Sequence, residues 1–100
     1  MDNRQVALKL TEYAAYLEAR EASLYRVRAY RRAAETVLAL DRPLTALVAD
    51  EGRAGLEALP GIGTHLAFTI EELIRTGEFR TLSRDRRQID PKQLLQSIVS

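Results

Sequence analysis

Five consecutive residues decide the fold of this chain: Leu59-Pro60-Gly61-Ile62-Gly63. Apolar residues at helical spacing lie on both sides of them, so the pattern predicts two helices joined by a turn of only a few residues. Such a turn needs a positive φ or a close backbone approach, and glycine permits both at low cost. The isoleucine between the glycines can point into the core. The stretch therefore predicts a helical hairpin pinned by Ile62.

The chain before the turn has the apolar spacing of two longer helices. The first is expected to run from a cap at Asp2 or Asn3 to about Arg20, and Ser23 is expected to cap the second. The inward face of the second helix is predicted to carry Val27, Tyr30, Ala34, Val37 and Leu38.

Shorter helical segments follow. Pro43 is expected at the first position of a short helix that stops at Gly52, and Gly55 begins another helical turn or two. The helix after the hairpin turn is predicted from Thr64 to Gly77, which suits a helix C-terminus. No β-hairpin signal or alternating run is present. The predicted fold class is all-α: a compact bundle of four to five short helices, plus a C-terminal helix.

The last residues are expected to leave that bundle. Phe79 and Leu82 suggest a further short helix, and residues 83–100 read as a linker and a C-terminal helix that begins at Asp90-Pro91. That helix resembles one leading into a second hairpin. The chain is therefore expected either to be part of a longer parent protein with a further domain or to end with an unpaired helix.

Composition limits the kinds of site that the chain can hold. With 100 residues it has the size of one small domain. The absence of cysteine excludes disulfides, thiolate metal sites and cysteine nucleophiles, and the single histidine, His65, argues against a histidine zinc site. No apolar run approaches the ~18 residues that a membrane span needs. We therefore expect no membrane partner and a cytoplasmic location.

The basic residues are unevenly placed, although the net charge is only +1. Four arginines lie close together on the second predicted helix: Arg26, Arg28, Arg31 and Arg32. Such a cluster is typical of a phosphate-contacting face, but a solvated face with Glu21 and Glu35 as partners remains open. Tyr25 and Tyr30 could stack on the bases of a single strand. Tyr30 lies on the apolar face and is expected in the core, whereas both roles stay open for Tyr25.

The start of the helix after the turn is a candidate phosphate site. Gly63 leaves the first amide groups uncovered, and these amides favour an anion together with the positive end of the helix dipole. Gly61 and Gly63 have no Cβ, so a nucleic-acid backbone can approach closely, beside Thr64 and His65. A contact to phosphate reads no base sequence. His65 is expected either to contact phosphate or to be an exposed neutral histidine.

Two stretches resemble a known family. Residues 59–67 look like a helix-hairpin-helix motif, and residues 25–34 resemble the second helix of the N-terminal 8 kDa domain of DNA polymerase beta and bacterial family X polymerases. The resemblance covers roughly residues 3–82. It implies that residues 1–82 form a helical domain that binds single-stranded or gapped DNA, preferring a 5′-phosphate. It also implies a Na⁺ or K⁺ ion on the backbone carbonyls of Glu57, Leu59 and Ile62, with no other cofactor required.

The chain differs from that family at the position of the family's catalytic lysine. In the polymerase beta domain a lysine forms a Schiff base with the abasic sugar, and the matching position is Thr69, which cannot form an imine. Two family lysines that contact phosphate correspond to His65 and Arg26. Arginine keeps the charge but stays protonated, so it is not a Schiff-base nucleophile. The only lysines are Lys9 and Lys92, near the two ends of the chain.

We interpret the sequence as a DNA-binding domain without lyase chemistry, not an enzyme. It is expected to bind single-stranded, gapped or 5′-phosphorylated DNA, without reading sequence, in repair or replication at the bacterial nucleoid. One alternative is the N-terminal domain of a family X polymerase or a deoxyribose-phosphate lyase. Another is a protein-interaction module on the same scaffold, which the near-zero net charge favours. The sequence makes no prediction about homo-oligomers.

Overall fold

Four helices make up the structure, a computed structural model that describes residues 1–77. They are α1 (Asn3–Ala19), α2 (Leu24–Ala39), α3 (Leu44–Glu57) and α4 (Thr64–Thr76). Residues 1–77 contain no strand, which confirms the all-α prediction. The short helix expected near Phe79 and Leu82, and the linker and helix expected at 83–100, lie outside the described residues. None of the four helices is long and apolar enough to cross a membrane.

The first two helices begin where local capping signals place them. Asp2 caps α1 in a reciprocal box with Gln5: its side chain accepts from the Gln5 amide at 2.8 Å, and its own amide donates to the Gln5 side chain at 2.9 Å. The Ser23 side chain accepts from the Tyr25 amide at 3.2 Å at the start of α2. These contacts satisfy amides that have no partner inside their helices.

Asn3, the other candidate cap for α1, instead caps α3. Its Oδ1 accepts from the Leu44 amide at 2.8 Å, and its Nδ2 donates to the Arg42 carbonyl at 2.9 Å. The prediction that Pro43 occupies the first helical position is wrong by one residue. Pro43 has an extended ψ of 137° and is the N-cap, so the helix begins at Leu44. Since Pro43 has no side-chain acceptor, Asn3 supplies one from α1.

Gly52 interrupts the helical backbone of α3, at the residue where the sequence predicts that the first helical stretch stops. Its φ of +65° and ψ of −158° interrupt the helical backbone, and helix continues from Arg53 to Glu57. The helical turn expected from Gly55 therefore starts earlier, directly after Gly52. A positive φ of this kind favours glycine. The bend redirects the second part of α3, which leads into the hairpin turn and α4.

The core lies where α1 and α2 pack along each other, and α4 packs mainly against α3 and also contacts α1. Tyr13, Leu10, Val27 and Ile70 are among its fully buried side chains. The Tyr13 ring meets the Tyr30 ring edge-on, with centroids 4.7 Å apart, a favoured geometry for aromatic pairs. Four of the five residues predicted on the inward face of α2 are buried. Leu38 is the exception: it is 59% exposed, because its neighbour Val37 faces the core and adjacent helical residues diverge by about 100°.

Candidate nucleic-acid interface

The hairpin turn has the anchor that its sequence predicts. Ile62 is 3% exposed and belongs to the core cluster. Its amide donates to the Leu59 carbonyl at 3.2 Å, which closes the turn. Gly61 has a φ of +76°, whereas Gly63 has an extended backbone with φ −88° and ψ −171°. The two glycines therefore serve different purposes: the first gives the turn its conformation, and the second leaves space beside α4.

Helix α2 holds the turn from outside. A Cβ on Gly61 would lie 2.8 Å from Nε and 2.9 Å from Cδ of Arg32, so this arginine lies directly on the turn. The Thr36 hydroxyl donates to the Pro60 carbonyl at 2.8 Å, one helical turn further along α2. Sequence reasoning did not single out Thr36, because its partner is distant in the chain. Together the two contacts fix the position of the turn against α2.

The start of α4 presents amide groups without a side-chain cap. Gly63 is the N-cap and makes no side-chain hydrogen bond to the first turn. The first helical bond runs from the Ala67 amide to the Gly63 carbonyl at 2.9 Å. A Cβ built on Gly63 would have no heavy atom within 4 Å. This helix end therefore combines free donors, the positive end of a helix dipole and open space in front of them, which suits an anion.

A pocket of about 290 Å³ opens beside this helix end. Six of the residues that the sequence analysis proposed for DNA binding line it: Tyr25, Arg26, Gly61, Gly63, Thr64 and His65. Ala29, Tyr30 and Leu66 complete the lining. Tyr25 is 82% exposed, so its ring is available for stacking. The N-terminal part of α2 and the hairpin turn thus form one concave surface.

The four arginines of α2 separate into different surroundings. Arg26 lines the pocket and Arg32 lies on the turn. Arg31 forms an exposed ion pair with Glu18 of α1 instead of with Glu21 or Glu35. Arg28 is exposed and does not line the pocket. Exposed pairs such as Arg31–Glu18 contribute little to stability, so Arg31 can exchange its partner at small cost.

A polar network lies below the pocket. Tyr30 is 2% exposed, as its apolar position predicts, and its hydroxyl lies 3.2 Å from Nε2 of His65. Its hydroxyl also has hydrogen-bond partners in Thr69 and Arg26. Burial, with a smaller effect from Tyr13, raises the pKa of Tyr30 to about 12 against the opposing effects of Arg26 and Thr69. The phenol therefore stays protonated at physiological pH.

Thr69, which the resemblance matches to the Schiff-base lysine, is only 5% exposed. Its hydroxyl is a partner of Tyr30 and does not face solvent as a reactive group would. Lys9 lies on α1, where it pairs with Glu12 at 3.8 Å, and does not line the pocket. Lys92 lies outside the described residues. The described lining of the pocket therefore contains no side-chain amine.

The carbonyls proposed for a monovalent ion lie in and just before the turn. The Leu59 carbonyl already accepts from the Ile62 amide, and because a carbonyl oxygen has two lone pairs it can still bind a cation. Within residues 1–77, no group of three or more histidine, aspartate or glutamate side chains is placed to hold a metal ion. The ion on these backbone carbonyls stays a prediction.

A second set of contacts secures the other side of the hairpin. The Arg53 guanidinium lies 5.1 Å from the centre of the Phe68 ring and donates to the Glu71 carboxylate at 3.2 and 3.3 Å. The hydrogen bond from Arg53 is the main reason that the pKa of Glu71 is lower than usual. These contacts tie the second part of α3 to α4, so the two helices of the hairpin are fixed on both sides of the turn.

The comparisons with known proteins agree with this geometry. No curated protein matches the chain. The family model of the helix-hairpin-helix domain matches residues 1–79, which include all four described helices. Domains of this family commonly bind DNA without sequence preference. The chain belongs to the helix-hairpin-helix domain family.

Proposed function

We propose that this domain binds DNA through the phosphate backbone, without reading the base sequence. The observation that carries the proposal is the uncapped start of α4, which opens on a pocket that also contains Arg26 and His65. Amides and cations around one open space favour a phosphate group over a neutral ligand. Because these donors meet the backbone of the strand, any sequence can occupy the site.

The preferred DNA in this proposal is single-stranded, gapped or 5′-phosphorylated, as in repair or replication at the bacterial nucleoid. Tyr25 supports an unpaired strand, because an exposed ring beside a phosphate site can stack on a base whose face is free. A Na⁺ or K⁺ ion on the carbonyls of Glu57, Leu59 and Ile62 would add positive charge at the turn. The resemblance of residues 25–34 and 59–67 to the 8 kDa domain of polymerase beta supports the same substrate class.

The proposal does not include lyase chemistry. A Schiff base needs an amine beside the sugar, and the position matched to the family lysine holds the buried Thr69. The deoxyribose-phosphate lyase alternative requires an amine from elsewhere in the protein. The alternative in which the chain is the N-terminal domain of a family X polymerase does not need one and would be supported by a much longer full-length gene.

Protein interaction is the second candidate function. Leu8 and Leu38 are both exposed and line one groove, whose other lining residues are Ala7, Thr11, Asp2, Arg4 and Gln5. Exposed leucines that share a groove are typical of contact surfaces. This groove involves other residues than the phosphate pocket, so the two functions can be tested separately.

Fluorescence anisotropy with a gapped, 5′-phosphorylated DNA across a salt series tests the proposed function. We expect the affinity to fall steeply with salt, since phosphate contacts release counterions. Arg26→Gln should weaken binding and reduce the slope of log affinity against log salt by about 1. Arg4→Gln is the matched control: it removes the same charge from an exposed residue outside the pocket. Absence of binding at low salt refutes the proposal and favours protein interaction.

A further inference from the structure

The hydrogen bond between Tyr30 and His65 gives the phosphate pocket a proton-dependent component. We propose that His65 takes up a proton when phosphate binds at the start of α4, and that Tyr30 and Thr69 form the relay that accommodates both charge states. The inference rests on the proposed function, because it needs a phosphate in the pocket. It assigns roles to Tyr30 and Thr69, whose hydroxyls would not themselves contact DNA.

His65 is the only histidine in the described lining of the pocket, and histidine is the class of side chain that ordinarily changes charge between about pH 5 and 8. Helix α2 contributes Arg26, which stays cationic over this range, and Tyr25 and Tyr30, whose class of side chain stays protonated. The hairpin turn contributes only glycines, and no carboxylate belongs to the described lining. Behind Tyr30 lies the buried ring of Tyr13 from α1. A pH-dependent affinity for a non-titrating phosphate therefore points to His65.

The position of His65 couples its charge to the ligand. It is the second residue of α4, so a phosphate on the first amides lies next to the imidazole. An anion there favours the charged ring and accepts a charge-assisted hydrogen bond from it. Since protonation strengthens phosphate binding, phosphate binding must strengthen protonation by the same factor.

The relay satisfies the buried hydroxyl in both states. With a neutral imidazole, the Tyr30 hydroxyl donates to Nε2, and the ring proton lies on Nδ1. With a charged imidazole, Nε2–H donates to the Tyr30 oxygen, and the Tyr30 hydroxyl turns to Thr69, because Arg26, its remaining partner, has no acceptor. Nδ1–H is directed away from Tyr30 in either state, where it can meet a phosphate. Without an acceptor, the buried Tyr30 hydroxyl would destabilise the state with the charged imidazole. Thr69 supplies that acceptor.

The test measures anisotropy from pH 5.5 to pH 8 at constant ionic strength, using gapped DNA with a 5′-hydroxyl so that the ligand has only non-titrating diesters. The wild-type affinity should be about tenfold higher at pH 5.5 than at pH 8, the effect of one charge-assisted hydrogen bond. His65→Lys should bind tightly and His65→Gln weakly, each with little dependence on pH. Both substitutions lie at an exposed position, so the fold should be kept.

Thr69→Val tests the relay itself. It keeps the shape of the side chain but removes the acceptor that the charged state needs, so the midpoint of the pH profile should move to lower pH. An unchanged midpoint would show that the relay is wrong. If the wild type binds DNA equally at all pH values, or His65→Gln keeps the wild-type profile, this inference fails while the proposed function stands. If no variant binds at any pH, both fail.

Discussion

One added methyl group at either glycine of the hairpin turn should separate the folding role of the turn from its binding role. At Gly61 the φ of +76° disfavours any side chain, and a Cβ would lie 2.8 Å from Nε of Arg32. At Gly63 the backbone is extended, and a Cβ would have no heavy atom within 4 Å. We therefore expect Gly61→Ala to destabilise the protein more than Gly63→Ala does, and Gly63→Ala to weaken DNA binding.

The magnitudes follow from these surroundings. A left-handed residue with a Cβ costs about 1–2 kcal/mol. Arg32 adds little to this cost, because the exposed end of its side chain can move. For a domain of this size the loss corresponds to a fall in Tm of roughly 5–15 °C. Gly63→Ala replaces a favourable N-cap residue by a poor one and should lower the free energy of unfolding by about 0.5–1 kcal/mol, while the methyl group obstructs the amides and lowers affinity by about tenfold.

Thermal unfolding followed by circular dichroism and anisotropy with the gapped DNA measure the two effects on the same samples. Gly63→Ala is the control for the stability loss, since it adds the same atoms two residues away. Wild-type affinity in Gly63→Ala would refute the assignment of the α4 amides as the DNA contact. A wild-type Tm in Gly61→Ala would refute the argument from the positive φ.

Three further predictions address other parts of the structure. Asn3→Ala should lower the free energy of unfolding by about 1–2 kcal/mol in urea denaturation, because α3 loses the cap at Leu44; an unchanged unfolding midpoint would contradict this. Arg53 lowers the pKa of Glu71, so their pair stabilises the fold at neutral pH and this contribution is lost as the pH falls below the ordinary value of 4.5; Glu71→Gln should therefore lose less stability on acidification than the wild type, and equal losses would count against the pair. Borohydride reduction on abasic DNA should give no covalent adduct, and efficient trapping would show that the protein holds a reactive amine.

Features that depend on neighbouring residues could be predicted from the sequence. The Asp2 and Ser23 caps, the anchor at Ile62 and the helix end at Gly77 all follow from signals within a few positions. Tyr30 could be assigned to the core because its position in the helical repeat falls on the apolar face of its helix. Each of these needs only the geometry of one helix or one turn.

Contacts between distant segments could not be predicted in this way. Asn3 was a cap candidate for α1, the helix that begins with it. No signal in the neighbouring sequence shows that its side-chain amide reaches Arg42 and Leu44. The pairing of Arg31 with Glu18 depends on how α1 and α2 pack. The four arginines of α2 looked alike in the sequence, because the sequence shows the charge that they share. It does not show which residues each of them contacts in the folded protein.

The Asn3 cap also bears on the order in which the protein folds. Helices α1 and α2 are neighbours in the chain, so they can pair early, whereas the Asn3–Leu44 contact must close a loop of about 40 residues, which costs more chain entropy. We therefore expect this contact to be absent from the folding transition state. Asn3→Ala should then speed unfolding while leaving the folding rate nearly unchanged, a low φ-value in stopped-flow kinetics. The lifetime of the folded domain would depend on a side chain at its third residue.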